Sequence, residues 1–161
     1  MAGAVNAART WASGSGKPFL VLSGDRGLGK THLAVASAAR CMDRGEPVLF
    51  LSLPAFMAEL RAAVRVNEGG ERPPLDRLLR RAIEYPAVVL DDLGMERLTD
   101  FADEQLYLVV NERYRHRRRT LITTMRAPGE LQEAVASRIQ DWQVSRVVRC
   151  VGSDYRLRRQ G

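Results

Sequence analysis

Gly24-Asp25-Arg26-Gly27-Leu28-Gly29-Lys30-Thr31 is the stretch whose reading decides the fold of this chain. Glycine at the first and sixth positions, then Lys, then Thr, is the spacing of a phosphate-binding loop. The glycines admit backbone conformations closed to other residues, so successive N–H groups turn inward toward phosphate oxygens. Lys30 is placed to reach the β- and γ-phosphates, and the Thr31 hydroxyl to ligate Mg²⁺. The flanks agree. Phe19-Leu20-Val21-Leu22-Ser23 is an apolar run of strand length, and His32 to Arg44 lacks Pro and Gly, is rich in Ala, and meets a stop at Gly45. Strand, glycine loop and helix put a positive helix end at the phosphates, which a chance glycine turn would not supply. The octet therefore predicts a site for ATP and Mg²⁺, with His32 packed or close to phosphate in the first helical turn.

Further along, Ala87-Val88-Val89-Leu90 leads into Asp91-Asp92. An apolar strand ending in two carboxylates reads as a Walker B element. Asp91 would hold Mg²⁺ through water, and Asp92 would orient or deprotonate the attacking water. Many ATPases carry Glu at the second position; Asp is one methylene shorter. Strands are also expected at Val48–Leu51, Thr120–Thr124 and Val147–Val151. Helical spacing marks Phe56 to Val66, Leu75 to Ile83, a segment from Thr99 or Asp100 to about Arg115, and Leu131 to Ile139. Residues 67–74 read as a polar loop. Strands alternating with helices imply a parallel, three-layered α/β sheet with its ligand at the strand C-termini.

The 161 residues suit one such domain, read as a short N-terminal helix or linker over 1–18 and an ATPase domain over 19–161. Cys41 and Cys150 form no CxxC pair and read as reduced, buried thiols of a cytoplasmic protein. No apolar run approaches membrane-span length, and the first 18 residues hold no secretory h-region. The formal charge of +6 is unevenly spread. From Asn111 to Gly161, twelve arginines face five acids. Arg outnumbers Lys 23 to 2 across the chain, a preference that codon bias alone can produce. His32 and His116 have no Cys or carboxylate at metal-ligand spacing.

Six short patterns occur in a telling order: the P-loop followed by His32-Leu33-Ala34; Asp91-Asp92-Leu93-Gly94; Asn111-Glu112-Arg113-Tyr114; Thr120-Leu121-Ile122-Thr123-Thr124; Ser137-Arg138-Ile139; and Asp154-Tyr155-Arg156. Together they resemble the AAA+ domain of bacterial replicative helicase loaders (DnaC and DnaI) and of IstB transposition ATPases, over nearly all the chain from Phe19. The resemblance implies a five-stranded parallel sheet of order 5-1-4-3-2 with little or no helical lid. It makes Arg138 a candidate arginine finger, reaching the ATP site of the next subunit on self-assembly. The implied partners are a replicative helicase and single-stranded DNA, or a transposase in the IstB reading. A nucleotide-gated scaffold with little turnover is the rival from another class, and a small-molecule kinase a weaker one.

The chain departs from that family pattern in three places. Met125 stands where Asn usually follows the Thr-Thr pair as sensor 1, so Thr124 or Thr123 must substitute or phosphate sensing weakens. Only about 18 residues precede the first strand, fewer than a helicase-gripping region needs, as in an excised domain. Few follow the last strand. Arg115, Arg117, Arg118 and Arg119, with Arg61 and Arg65, are candidates for a DNA-binding channel. The run Arg115–Arg119 equally suits a solvated helix end.

Overall fold

The computed structural model describes residues 2–66, 74–94, 100–152 and 154. Of the expected loop over 67–74, residues 67–73 lie outside them, as do Thr99, Tyr155 and Arg156, while Pro74 belongs to the following helix. Helix α1 (Ala2–Ala12) precedes β1 (Phe19–Ser23), α2 (Lys30–Asp43), β2 (Val48–Ser52), α3 (Leu53–Val66), α4 (Pro74–Glu84) and β3 (Ala87–Leu93). Then follow α5 (Asp100–Arg115), β4 (Arg119–Thr124), α6 (Glu133–Ile139) and β5 (Ser145–Arg149). The five strands are parallel, in the order β2-β3-β4-β1-β5, which is the expected order read from its other edge.

Side-chain alternation builds the three layers. Phe19, Val21, Val88, Leu90 and Ile122 face a core closed by α3, α4, α5 and α6. Leu20, Leu22, Ala87, Val89 and Leu121 face the other core, closed by α1 and α2. The central strands are buried on both faces, so they read as continuous apolar runs. Helix α1 packs its Ala4, Ala7, Ala8, Trp11 and Ala12 into this second core. The Trp11 indole N–H donates to the Pro18 carbonyl at 3.0 Å, which fixes how the chain enters β1.

β5 lies two residues earlier than the apolar run Val147–Val151 suggests. It is an edge strand paired from Phe19↔Ser145 to Ser23↔Arg149, and there pairing decides the register while apolarity does not. Val147 is left 43% exposed, and Val151 lies past the strand end, 60% exposed. Leu131 likewise falls short of α6, behind a 3-10 turn over Pro128–Glu130.

The C-terminus of α5 explains the fate of the basic run. Arg117 takes φ 48°, its N–H bonding to Tyr114 O at 3.1 Å, while Arg118 N–H bonds to Arg113 O at 2.9 Å. These two bonds make a Schellman cap with Arg in the left-handed position that glycine prefers. One residue on, Arg119 opens β4. Helix, cap and strand point the arginines of the run in different directions.

Candidate functional site

The P-loop follows β1 at the C-terminal edge of the sheet. Gly24, Gly27 and Gly29 all have positive φ, of 139°, 72° and 76°. Gly24 could carry no side chain: a Cβ there would lie 2.5 Å from Cys150 O. Leu28 points the other way and is buried in the core between the sheet and α2. Lys30 is 94% buried, and its ammonium donates to the carbonyls of Gly24 and Asp25, each at 2.7 Å. Burial pushes its pKa below the usual lysine value, opposed by Cys150, Asp92, Asp25 and Asp91. An ammonium buried with neutral carbonyls as its bonding partners among the described residues, beside a ring of backbone N–H groups, fits a bound polyphosphate.

Across the loop, the two acids separate in role. Asp91 is buried, and its carboxylate accepts from Thr31 Oγ1 at 3.1 and 3.2 Å and from Thr123 Oγ1 at 2.6 Å. Thr123 Oγ1 also accepts the Asp92 N–H at 3.0 Å. Asp92 sits at φ 64°, where the pairing of β3 with β4 shifts register between Leu90 and Leu93. A left-handed aspartate costs about 1 kcal/mol or more, a strain found at working sites. The bend turns Asp92 into a cavity of about 530 Å³ lined by Arg26, Gly27, Gly29, Lys30, Thr31, His32, Leu33, Ala36, Asp92 and Met125.

The structure thus brings together Lys30, Thr31, Asp91 and Asp92, with His32 exposed at the cavity wall. Thr124 is buried, and its hydroxyl accepts the Arg126 N–H at 3.1 Å. It is not among the described residues lining the cavity; Thr123 is the β4 hydroxyl tied to both acids. Sequence reading named Thr123 only as a stand-in for sensor 1. Its pairing with Asp91 follows from alternation on neighbouring strands once β3 and β4 are known to be adjacent.

Arg138 lies away from this cavity, half-buried in the last turn of α6. Its Nε donates to Asn111 Oδ1 at 3.1 Å, and its guanidinium lies 5.3 Å from the centre of the Tyr114 ring. Tyr114 is fixed in turn by donating its hydroxyl to Asp141 at 2.5 Å. That bond raises the tyrosine pKa and lowers that of Asp141.

The candidate DNA arginines do not form one surface. Arg118 donates to Ile83 O at 2.6 Å beside α4. Arg119 points to the opposite face, bonding Trp11 O at 2.5 Å and Glu46, with its guanidinium 4.8 Å from the Trp11 ring centre. Arg115 pairs with Glu112 at 3.0 Å, Arg117 is exposed, and Arg61 is half-exposed on α3. Of Arg65 only the backbone is described.

A P-loop joined to an acid-tipped β3 through β4, on a 5-1-4-3-2 sheet, defines an AAA+ ATP-binding domain. The sequence model of the IstB-like ATP binding protein family matches residues 7–160, and the chain belongs to that family. It is 30% identical over 95 residues to the ATP-binding protein of insertion sequence IS21 from Pseudomonas aeruginosa, covering 59% of this chain and 34% of that protein. It is 34% identical over 160 residues to the chromosomal replication initiator protein DnaA of Ruegeria sp. (strain TM1040), covering 94% of this chain and 32% of that protein. The crystal structure of the DnaC helicase loader superposes with TM-score 0.74 at 26% identity, over 89% of this chain and 86% of that one. This chain spans about a third of the length of these two curated relatives. Among the described residues, no helix is long and apolar enough to cross a membrane.

Proposed function

We propose that this chain is the ATP-hydrolysing domain of a helicase loader, acting in the cytoplasm with a replicative helicase and single-stranded DNA. The observation that carries hydrolysis is the Thr31–Asp91–Thr123–Asp92 chain of hydrogen bonds facing Lys30 across one cavity. Thr31 and Asp91 would hold Mg²⁺, which supplies charge neutralisation at the phosphates when bound. Lys30 binds the phosphate chain. Asp92, aimed into the cavity, orients the attacking water and takes its proton.

Completion of the site falls to Arg138 of a neighbouring copy. Its separation from its own cavity, and its double restraint by Asn111 and Tyr114, suit a group presented outward to a second subunit. A finger supplied in trans contributes about 10³–10⁵ in rate, so turnover should be slow until copies assemble. The nucleic-acid contact narrows to Arg61, Arg65, Arg115 and Arg117, because Arg118 and Arg119 are held within the fold. The IS21 relative favours a second reading, a transposition helper that uses the same engine with a transposase.

Mixing tests the engine. Lys30→Ala and Arg138→Ala should each be inactive alone, whereas mixed subunits recover part of the phosphate release. A Lys30→Ala subunit lends its intact Arg138 to an Arg138→Ala neighbour. No recovery despite co-assembly rejects the trans role. Equal turnover by Asp92→Asn and wild type would leave a nucleotide-gated scaffold. Co-sedimentation with the replicative helicase, against a transposase, separates the two partner readings.

A further inference from the structure

Two residues far apart in sequence, at Arg26 and Met125, meet at the cavity. The Arg26 Nε–H donates to Met125 Sδ at 3.2 Å, across 99 positions of sequence. Both line the cavity with Lys30, Thr31 and Asp92. Met125 directly follows β4, at the position where the family resemblance expects an Asn, and a thioether has no proton to donate. The guanidinium beside it carries several. Its remaining N–H groups have no bond to another described residue.

Position decides which phosphate this cation can serve. The inner phosphates are enclosed by the loop's own N–H groups and by Lys30. Arg26 meets Met125, which directly follows β4, and β4 pairs with β3 as far as Leu93↔Thr124. The guanidinium therefore lies at the β3–β4 end of the cavity, where Asp92 also lines it. There the terminal phosphate must sit if Asp92 is to address the attacking water. We propose that Arg26 contacts the terminal phosphate in cis, seated by the Met125 thioether, and so makes the site discriminate ATP from ADP. The assignment rests on the cavity being an ATP site, as argued above.

Arg26 is exposed at the surface, so its replacement leaves the core intact. Nucleotide affinities measured by calorimetry on the full chain test the proposal without reference to turnover. Arg26→Ala should weaken ATP about tenfold or more, the scale of a charge-assisted hydrogen bond, and ADP less than about twofold. Arg26→Lys should restore part of the preference, since a point charge replaces the planar fork. Met125→Ala should lower the ATP-to-ADP ratio by a smaller factor, about two- to threefold, by freeing the guanidinium. An unchanged ratio in Arg26→Ala, or equal losses for both nucleotides, overturns the assignment while normal wild-type binding keeps the cavity reading intact. Failure of the wild-type chain to bind either nucleotide overturns both.

Discussion

The two edges of the sheet use buried cations in opposite ways. At the C-terminal edge, Lys30 is buried with two carbonyl partners and, among the described residues, no carboxylate in bonding distance. At the N-terminal edge, Arg113 is wholly buried and reaches five acceptors. Its Nε donates to Thr120 Oγ1 at 2.9 Å, Nη1 to the carbonyls of Ala82, Ile83 and Tyr85 at 2.8–3.0 Å, and Nη2 to Arg119 O at 2.6 Å. Three of those acceptors are carbonyls at or just beyond the end of α4, groups that a helix leaves unpaired. Burial, with the nearby Arg118, lowers the Arg113 pKa to about 9, so it remains charged at neutral pH. One cation lines a cavity. The other is consumed by the fold.

That contrast breaks most visibly at Lys30. Lys30→Ala should weaken ATP about a hundredfold or more, because the polyphosphate would enter a buried site without its cation. The nucleotide-free protein should lose no thermal stability, since an ammonium that is costly to bury has gone. A matching fall in melting temperature without ligand would show that Lys30 serves the fold as Arg113 does.

Arg113→Ala should do the reverse. Losing five hydrogen bonds and a buried side chain costs about 3–5 kcal/mol, a fall of about 10 °C in a domain of this size. Arg113→Lys should recover little, since an ammonium cannot span the same fan of acceptors. Melting curves read by circular dichroism decide it. A loss below about 1 kcal/mol would mean that α4 caps itself without the guanidinium.

The smallest effect is expected at Arg117, an exposed arginine that belongs to neither edge's network. Glycine fits its φ of 48° without strain, so Arg117→Gly should stabilise the chain by about 0.5–1 kcal/mol. The same substitution should reduce the salt slope of single-stranded DNA binding by about 0.7 if this residue meets a phosphate. An unchanged slope would remove Arg117 from the nucleic-acid proposal and leave it only the cost of its cap.

Motifs set by spacing were legible in the sequence because their chemistry is local. The eight residues from Gly24 to Thr31 dictate a loop whatever surrounds them, and Ala87 to Asp92 dictate a buried strand with acids at its tip. Strand, loop, helix and acidic tip, repeated through alternating elements, determined an α/β sheet with the P-loop and the acids at its C-terminal edge. Composition could not sort one arginine from another, since burial, pairing and exposure depend on which face each residue meets. The Schellman cap at Arg117 and the start of β4 at Arg119 sent Arg118 toward α4 and Arg119 toward α1 and α2. Tertiary structure alone decided this division. It also decided that Thr123 rather than Thr124 meets the acids, that Arg26 finds Met125, and that α1 is core. Each of these depends on which strands and helices are neighbours, and the periodicity of a single segment does not carry that information.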